Sequence, residues 1–157
     1  VNGGGNVVST ARDGSVRVWD VARGVELHTL SDPQDAEDGV DALAACWLQE
    51  QRRVLSTHDD GECRLWEFPY SMVKKTVTPN PDAEEAPIML VCDRHGAGVV
   101  ALSAGATIRA YDMHTLQHAY TLHPGGIDSV SCLSGGDSGG DYAALGSYTG
   151  RVVILEA

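Results

Sequence analysis

The sequence predicts an all-β chain made of repeated antiparallel sheets, and two observations carry this prediction. The first is the stretch Val7–Asp20, where apolar and polar residues alternate on both sides of an Asp-Gly turn at Asp13. Alternation of period two around such a turn indicates a β-hairpin. The second is that the same pattern returns at Ser56–Glu67, around another Asp-Gly turn. We therefore expect a repeat protein.

Two weaker copies of the pattern lie further along, at Leu102–Asp112 and Leu145–Glu156. The large residues that close the four copies are 47, 45 and 44 residues apart; they are Trp19, Trp66, Tyr111 and Leu155. A period of about 45 residues with a Trp-Asp signature is typical of the four-stranded blades of a β-propeller. On these residues, nearly the whole chain resembles the WD40-repeat family. The resemblance implies a WD40-type β-propeller fragment of about three and a half blades, each of four antiparallel strands.

The first predicted blade, residues 1–30, contains three strands and lacks the innermost one. Its strands are predicted from alternating residues at Asn6–Ala11, Ser15–Asp20 and Val25–Leu30. An acidic loop is predicted over Ser31–Gly39, and it leads into the second blade.

The second and third predicted blades, residues 40–78 and 87–122, are complete. The loop between them, Pro79–Ala86, is again acidic, and its prolines keep it out of the strands. The predicted strands of the second blade are Val40–Trp47, Arg53–Thr57, Cys63–Glu67 and Met72–Thr78. Those of the third blade are Ile88–Cys92, Val99–Ser103, Thr107–Asp112 and Gln117–Leu122.

The fourth predicted blade, residues 127–157, ends without its outer strand. Its strands are predicted at Ile127–Leu133, Tyr142–Gly146 and Arg151–Leu155. In the WD40 family that outer strand is usually supplied by the N-terminal segment, which closes the ring. The resemblance therefore implies a genuine C-terminus in a larger propeller of about six to eight blades, with the remainder in the same or another chain. A self-paired half ring is the alternative.

The composition restricts the class of partner. Eleven Lys and Arg residues against 22 Asp and Glu residues give a net charge of −11 and a pI near 4.7. This balance disfavours binding of nucleic acid through its phosphates. The sequence contains no apolar run long enough to span a membrane, and its start does not resemble a signal peptide. We expect an intracellular protein, cytoplasmic rather than nuclear, without membrane insertion.

The four cysteines are far apart and form no Cys-x-x-Cys pair. Each lies in a predicted strand among apolar residues, which indicates buried free thiols in a reducing compartment. Zinc ligation and disulfide formation are the alternatives. The cysteines are Cys46, Cys63, Cys92 and Cys132.

The resemblance also implies structural roles for several polar residues. In the WD40 family a Ser or Thr of the second strand, an Asp of the following turn, a Trp of the third strand and a His of the preceding loop form a buried network. That loop offers Asp32 and Asp38 in place of a His before the second copy, so no complete network is expected. The residues that match are Ser9, Asp13 and Trp19 in the first copy, Ser56, Asp60 and Trp66 in the second, and Tyr111 in the third.

WD40 proteins are mostly non-enzymatic platforms, so the resemblance implies a scaffold for protein–protein interactions within a multisubunit assembly. The two acidic loops are expected on one face, either solvated or docking a basic segment of a partner. The contact candidates beside the turns are Arg12, Asp59 and Tyr148, with His58 nearby. The alternative within the same fold is the C-terminal propeller of a large BEACH-type trafficking protein.

Two patterns imitate active sites. Ser138, within Gly136–Gly140, resembles the serine of a protease, but no matching His context accompanies it, so a serine hydrolase is a remote alternative. His114, His118 and His123 have the spacing of ligands on a helix, but they fall around a predicted turn between strands. We therefore predict no catalytic residue, cofactor or metal.

Overall fold

The computed structural model describes residues 5–48, 53–67, 72–77, 87–92, 98–103, 107–112, 117–127, 130–135 and 142–156. Within these ranges the chain forms fourteen β-strands and one short helix. The strands make four antiparallel sheets of three, four, four and three strands. The all-β fold class is therefore confirmed, and the architecture agrees with part of a WD40 propeller.

In each sheet the hydrogen-bonded neighbours are consecutive in the chain. The first sheet contains β1 (Asn6–Thr10), β2 (Val16–Asp20) and β3 (Val25–Leu30), and helix α1 (Pro33–Asp38) follows it. The second contains β4 (Ala42–Leu48), β5 (Arg53–His58), β6 (Cys63–Glu67) and β7 (Met72–Val77). The third contains β8 (Pro87–Cys92), β9 (Gly98–Ser103), β10 (Thr107–Asp112) and β11 (His118–Leu122). The fourth contains β12 (Val130–Gly135), β13 (Tyr142–Ser147) and β14 (Val152–Glu156).

The backbone repeats an irregularity that relates the sheets to one another. The register shifts at one place in each of three strand pairs. It shifts at Val18/Trp19 between β2 and β3, at Leu65/Trp66 between β6 and β7, and at Ala110/Tyr111 between β10 and β11. Each shift falls at the aromatic residue that closes a sequence copy. A bulge at an equivalent place in three sheets indicates one repeated unit, because bulges re-aim a side chain at a defined position. The third copy is therefore a structural repeat although its sequence has diverged.

Successive sheets contact one another through their inner strands. Strand β4 contacts β1 of the first sheet and β8 of the third, and β8 also contacts β12. Side chains from the first two sheets form a buried apolar cluster, and Trp47 packs against it. Full burial of each large member stabilises the fold by about 1.5–3 kcal/mol. The buried members are Val16, Val18, Leu30, Ala42, Val54 and Trp66.

One element contradicts the sequence prediction. The stretch Ser31–Gly39, predicted as a loop, contains helix α1. Asp32 caps the helix by accepting a hydrogen bond from the Gln34 amide, and Pro33 takes the first turn. Gly39 ends it in the left-handed conformation at φ 71°. The second acidic loop and the loop around Ser138 lie outside the described residues.

The cysteines do not share one environment. Cys63 is buried and free, as predicted, and burial raises its pKa to about 12. Cys46 is disulfide-bonded, so the prediction of a free thiol is wrong there. Its strand β4 lies between two other sheets, where residues distant in sequence approach it. Cys132 is free but exposed; it faces Gly146 across the sheet, which has no side chain to cover it. The Cys92 side chain lies outside the described part.

Candidate interaction site

A buried cation joins helix α1 to the turn between β5 and β6. Arg64 Nη2 lies 2.6 Å from Asp35 Oδ1 and 2.6 Å from Asp60 Oδ2, and 3.7 Å from Glu62 Oε2. The Arg64 and Asp35 side chains are 6% and 5% exposed, so this pair is screened little by water. Bonds between two charged groups at this distance are among the stronger hydrogen bonds in proteins. Arg64 therefore fixes α1 against the second sheet.

Burial and pairing act in opposite directions on the ionisation of these groups. Burial raises the pKa of Asp35, and the Arg64 charge offsets this only in part. Burial would raise the pKa of Asp60 as well, but the hydrogen bonds from Arg64 and the Glu62 amide lower it overall. Burial disfavours the charged form of Arg64, yet the hydrogen bond to Asp60 and the neighbouring carboxylates raise its pKa. The Arg64 guanidinium is therefore charged at neutral pH.

A second chain of hydrogen bonds lies beneath this bridge. Trp66 Nε1 donates to Ser56 Oγ at 2.8 Å, and Ser56 Oγ lies 2.8 Å from His58 Nε2. His58 Nδ1 lies 4.0 Å from Asp35 Oδ2. His58, Ser56 and Trp66 are all 0% exposed. Burial, followed by the Arg64 charge, lowers the pKa of His58 to about 4, so its ring is neutral at pH 7.

The second copy contains only part of the network that the family pattern describes. The hydrogen bonds run from Trp66 through Ser56 to His58 and stop there, because His58 Nδ1 and Asp35 Oδ2 are 4.0 Å apart and have no hydrogen-bond partner among the described residues. The preceding loop supplies Asp35 rather than a histidine, and the end of β5 supplies His58. Neither Asp32 nor Asp38 takes the inward position. Asp32 caps α1, and Asp38 Oδ2 accepts a hydrogen bond from the side-chain Nε2 of Gln34 at 3.0 Å.

Sequence reasoning therefore missed Asp35 and Arg64. The helix signal was present, because Asp32 precedes the six residues of α1, Pro33 is the first of them and Gly39 follows the last. On such a short helix one side chain turns toward the sheet, and Asp35 is the buried one. Arg64 gave no signal, because an arginine alternating with apolar residues in a strand is usually exposed.

The first copy contains only part of the network. Ser9 Oγ accepts a hydrogen bond from Trp19 Nε1 at 2.9 Å. Asp13 Oδ1 instead accepts hydrogen bonds from the Ser15 hydroxyl at 2.5 Å and the Ser15 amide at 3.0 Å. These bonds lower the pKa of Asp13. The carboxylate stabilises its own turn.

The third and fourth copies replace the network with other contacts. Tyr111 is buried and meets His118 edge-on, with ring centroids 5.8 Å apart. In the fourth copy Ser147 Oγ lies 2.7 Å from Thr149 Oγ1 and accepts from the Thr149 and Arg151 amides at 3.2 Å each. A hydroxyl there holds the turn as Asp13 does in the first copy.

Three of the four predicted contact residues lie at the surface, each in or beside a hairpin turn. Arg12 and Asp59 are exposed, and Tyr148 is 75% exposed. The Asp59 carboxylate accepts a hydrogen bond from the Asp41 amide at 2.9 Å, which joins its turn to the segment after α1. The prediction of His58 as a contact residue is wrong, because His58 is fully buried between Ser56 and Asp35 and offers no surface to a partner.

Helix α1 carries an exposed acidic surface. Its Glu37 and Asp38 are exposed, and Asp32 and Asp41 are partly exposed on either side of it. Asp35 is the exception in this acidic segment, because its carboxylate points inward to Arg64. The other predicted acidic loop, 79–86, lies outside the described residues.

The described residues contain no group of His, Cys, Asp and Glu that could hold a metal ion. His118 Nε2 lies 2.7 Å from Thr121 Oγ1, within a strand rather than on a helix. His114 and Ser138 lie outside the described part. In the described part of the chain, no helix has the length and hydropathy that crossing a bilayer requires.

Comparison with known families agrees with this geometry. Residues 1–20 match the family model described as WD domain, G-beta repeat. This stretch of the chain is therefore similar to a WD40 repeat. The WD40 match covers the first copy, with Ser9, Asp13 and Trp19, and ends with β2. A WD40 repeat suggests a non-enzymatic scaffold that binds other proteins. A search of curated proteins found no match to the chain.

Proposed function

We propose that this chain is a non-enzymatic WD40 scaffold, part of a larger propeller in a cytoplasmic multisubunit assembly, that binds a basic segment of another protein. The binding surface is the face formed by α1 and the neighbouring hairpin turns, called here the α1 face. The observation that carries the proposal is the Asp35–Arg64–Asp60 bridge, whose buried Asp35–Arg64 pair ties an acidic helix to the second sheet beside the turns.

A fixed position matters because a partner then binds without ordering the helix first. Immobilising a side chain or loop on binding costs free energy, and a preorganised surface avoids most of it. The net charge of −11 adds long-range attraction for a positively charged segment. Arg12 and Tyr148 supply side chains of the kinds that anchor interfaces.

The charge of the α1 face is tested with the full chain and a lysine- and arginine-rich peptide labelled for fluorescence anisotropy. We expect Glu37→Gln/Asp38→Asn to weaken binding about tenfold at low salt, and added salt to remove the difference. The control is Glu26→Gln/Asp112→Asn, which removes the same number of charges away from α1. Glu26 lies near the start of β3, at the end far from α1, and Asp112 is the last residue of β10. Equal losses in both variants would show attraction to net charge alone and would contradict the proposal.

The anchor residue is tested in the same assay. We expect Tyr148→Ala to weaken binding by more than about fivefold, because a large exposed aromatic side chain that becomes buried contributes more than a rim charge. Tyr120 provides the matched control, since it is 48% exposed but lies on β11. An unchanged affinity for Tyr148→Ala would exclude it from the contact.

A further inference from the structure

Cys46 on β4 is covalently joined to another cysteine, and the rest of the chain identifies that partner. The sequence has four cysteines. Cys46 is disulfide-bonded, whereas Cys63 and Cys132 are free thiols. Within this chain, Cys92 is therefore the cysteine that remains to bond with Cys46.

The position of Cys46 in β4 directs it toward the third sheet. Trp47, the next residue, packs against the apolar cluster that the second sheet shares with the first. Successive residues of a strand belong to opposite faces of its sheet. Cys46 therefore lies on the other face of β4, and on that side β4 contacts β8, the inner strand of the third sheet.

The register of β8 places Cys92 on the matching face. Both inner strands begin with the same irregularity, a register shift at Ala42/Ala44 in β4 and at Pro87/Met89 in β8. Counted from this shift, Cys92 has the position in β8 that Trp47 has in β4. Since the Trp47 position faces the preceding sheet, the Cys92 position faces the second sheet. The repeat geometry thus brings the two cysteines to facing positions of neighbouring sheets, independently of the elimination above.

The surroundings of Cys46 suit a bond that forms and breaks in the folded chain. Cys46 is only partly buried, so a small thiol or disulfide reaches it from the solvent. Cys63 differs, because it is buried and burial raises its pKa to about 12, which keeps it an unreactive thiol. Strands β4 and β8 are each hydrogen-bonded within their own sheet, so neither sheet depends on the disulfide for its strand pairing.

We propose that Cys46 and Cys92 form a reversible disulfide that ties the second sheet to the third, closed by a low-molecular-weight disulfide and opened by a low-molecular-weight thiol. The thiolate of one cysteine attacks a sulfur of the small disulfide, and one small thiol leaves. The other cysteine then attacks the resulting mixed disulfide and releases the second small thiol. Two protein thiols are oxidised by two electrons, and the small disulfide takes up these electrons and the two thiol protons. This tie does not depend on the identity of any partner.

The pairing is tested on the full chain in buffers of oxidised and reduced glutathione. Samples are quenched with acid, alkylated in denaturant and digested with trypsin without a reductant. Cleavage after Lys and Arg leaves each cysteine on its own peptide. Under oxidising conditions we expect peptides 24–52 and 76–94 to be cross-linked, and peptides 54–64 and 110–151 to be alkylated.

Three results of this mapping would overturn the proposal. One is a different partner for Cys46. Another is the alkylation of all four peptides at every glutathione ratio, which would mean that no bond forms. The third is a cross-link that excess reduced glutathione does not open in the folded chain, because the bond would then be permanent rather than reversible.

The effect of the tie is measured as a melting temperature. A cross-link between residues 46 and 92 restricts the unfolded chain, so the oxidised chain should melt roughly 5–15 °C above the reduced chain. Cys46→Ser and Cys92→Ser should each remove this difference, and the control Cys132→Ser, a change at an exposed free cysteine, should keep it. A difference that persists in Cys46→Ser would contradict the tie.

The unaltered chain decides the question if a serine variant does not fold. The fraction of cross-linked peptide and the melting temperature are then followed in the same series of glutathione ratios. Both must rise over the same range of ratios, and a melting temperature that does not follow the cross-linked fraction would contradict the proposal.

Discussion

At the scale of single residues, the guanidinium of Arg64 joins two carboxylates that lie 29 and four residues away in sequence. Removing one member of a buried pair leaves an uncompensated charge, which costs more than the pair itself contributes. A surface pair behaves differently, because water solvates whichever charge remains. The described residues include both kinds, since Arg17 and Asp13 form a pair at 3.6 Å with side chains 40% and 59% exposed.

We expect Arg64→Met to lower the free energy of unfolding by about 3–5 kcal/mol, because Asp35 stays buried without its cation. Arg17→Met, the matched change in the exposed pair, should cost less than about 1 kcal/mol. Both are measured by chemical denaturation of the full chain at neutral pH. Adding Asp35→Asn should recover part of the loss in Arg64→Met, and the absence of any recovery would show that the charge is not the cause.

The two tryptophan–serine pairs allow a second comparison at this scale. Ser56→Ala leaves Trp66 Nε1–H and His58 Nε2 without a partner in a site that water does not reach. We expect a loss of about 2–3 kcal/mol in unfolding free energy. Ser9→Ala removes the equivalent bond to Trp19 near solvent, where water replaces it, and should cost under about 1 kcal/mol. Equal losses would contradict a buried network.

At the scale of elements, α1 is positioned by a close backbone approach as well as by charge. Gly14 has φ 74°, and a Cβ on it would lie 2.7 Å from the Val40 carbonyl oxygen. Gly24 has φ 64° but open space around the same position. Both glycines are suited to a left-handed conformation that other residues adopt at a cost. They differ only in what lies beside them.

We expect Gly24→Ala to cost about 1 kcal/mol through backbone strain alone. Gly14→Ala should cost about 1–3 kcal/mol more, because its methyl group would displace the backbone after α1. Thermal unfolding followed by circular dichroism measures both. The α1 contact with the first sheet would be in doubt if the two variants melted at the same temperature.

At the scale of the whole molecule, the sheets differ in how well they are covered. Within the described residues β14 is an edge strand, and its Val152 and Ile154 are 72% and 69% exposed on the same face. An edge that combines unpaired backbone groups with an apolar face promotes pairing between molecules. The acidic net charge opposes this association through repulsion.

We therefore expect the chain to self-associate more as salt screens its charge, and Val152→Lys/Ile154→Lys to suppress this association. Sedimentation velocity at low and high salt measures the effect. The control is Val7→Lys/Val21→Lys, because these residues are 51% and 59% exposed but belong to the first sheet and the turn after β2. Equal suppression by both pairs would point to net charge rather than to the β14 edge.

The sequence was sufficient for the strands and insufficient for the buried polar network. Period-two alternation and the Asp-Gly turns are local signals, so the strands of the second sheet were predicted to within two residues at every end. Helix α1 was missed because its acidic composition indicated a loop, although Asp32 and Gly39 mark its ends. Local patterns cannot say which of several carboxylates turns inward. That choice depends on Arg64, which another sheet element supplies.

The buried pair of Asp35 on α1 and Arg64 on β6 has a genetic consequence. Substitutions at these two sites are expected to be epistatic, because either change alone leaves a buried charge without its partner, whereas coordinated changes avoid that cost. We therefore expect the inner side of α1 and this position of β6 to evolve together, while the outer side of α1 varies independently of the sheet.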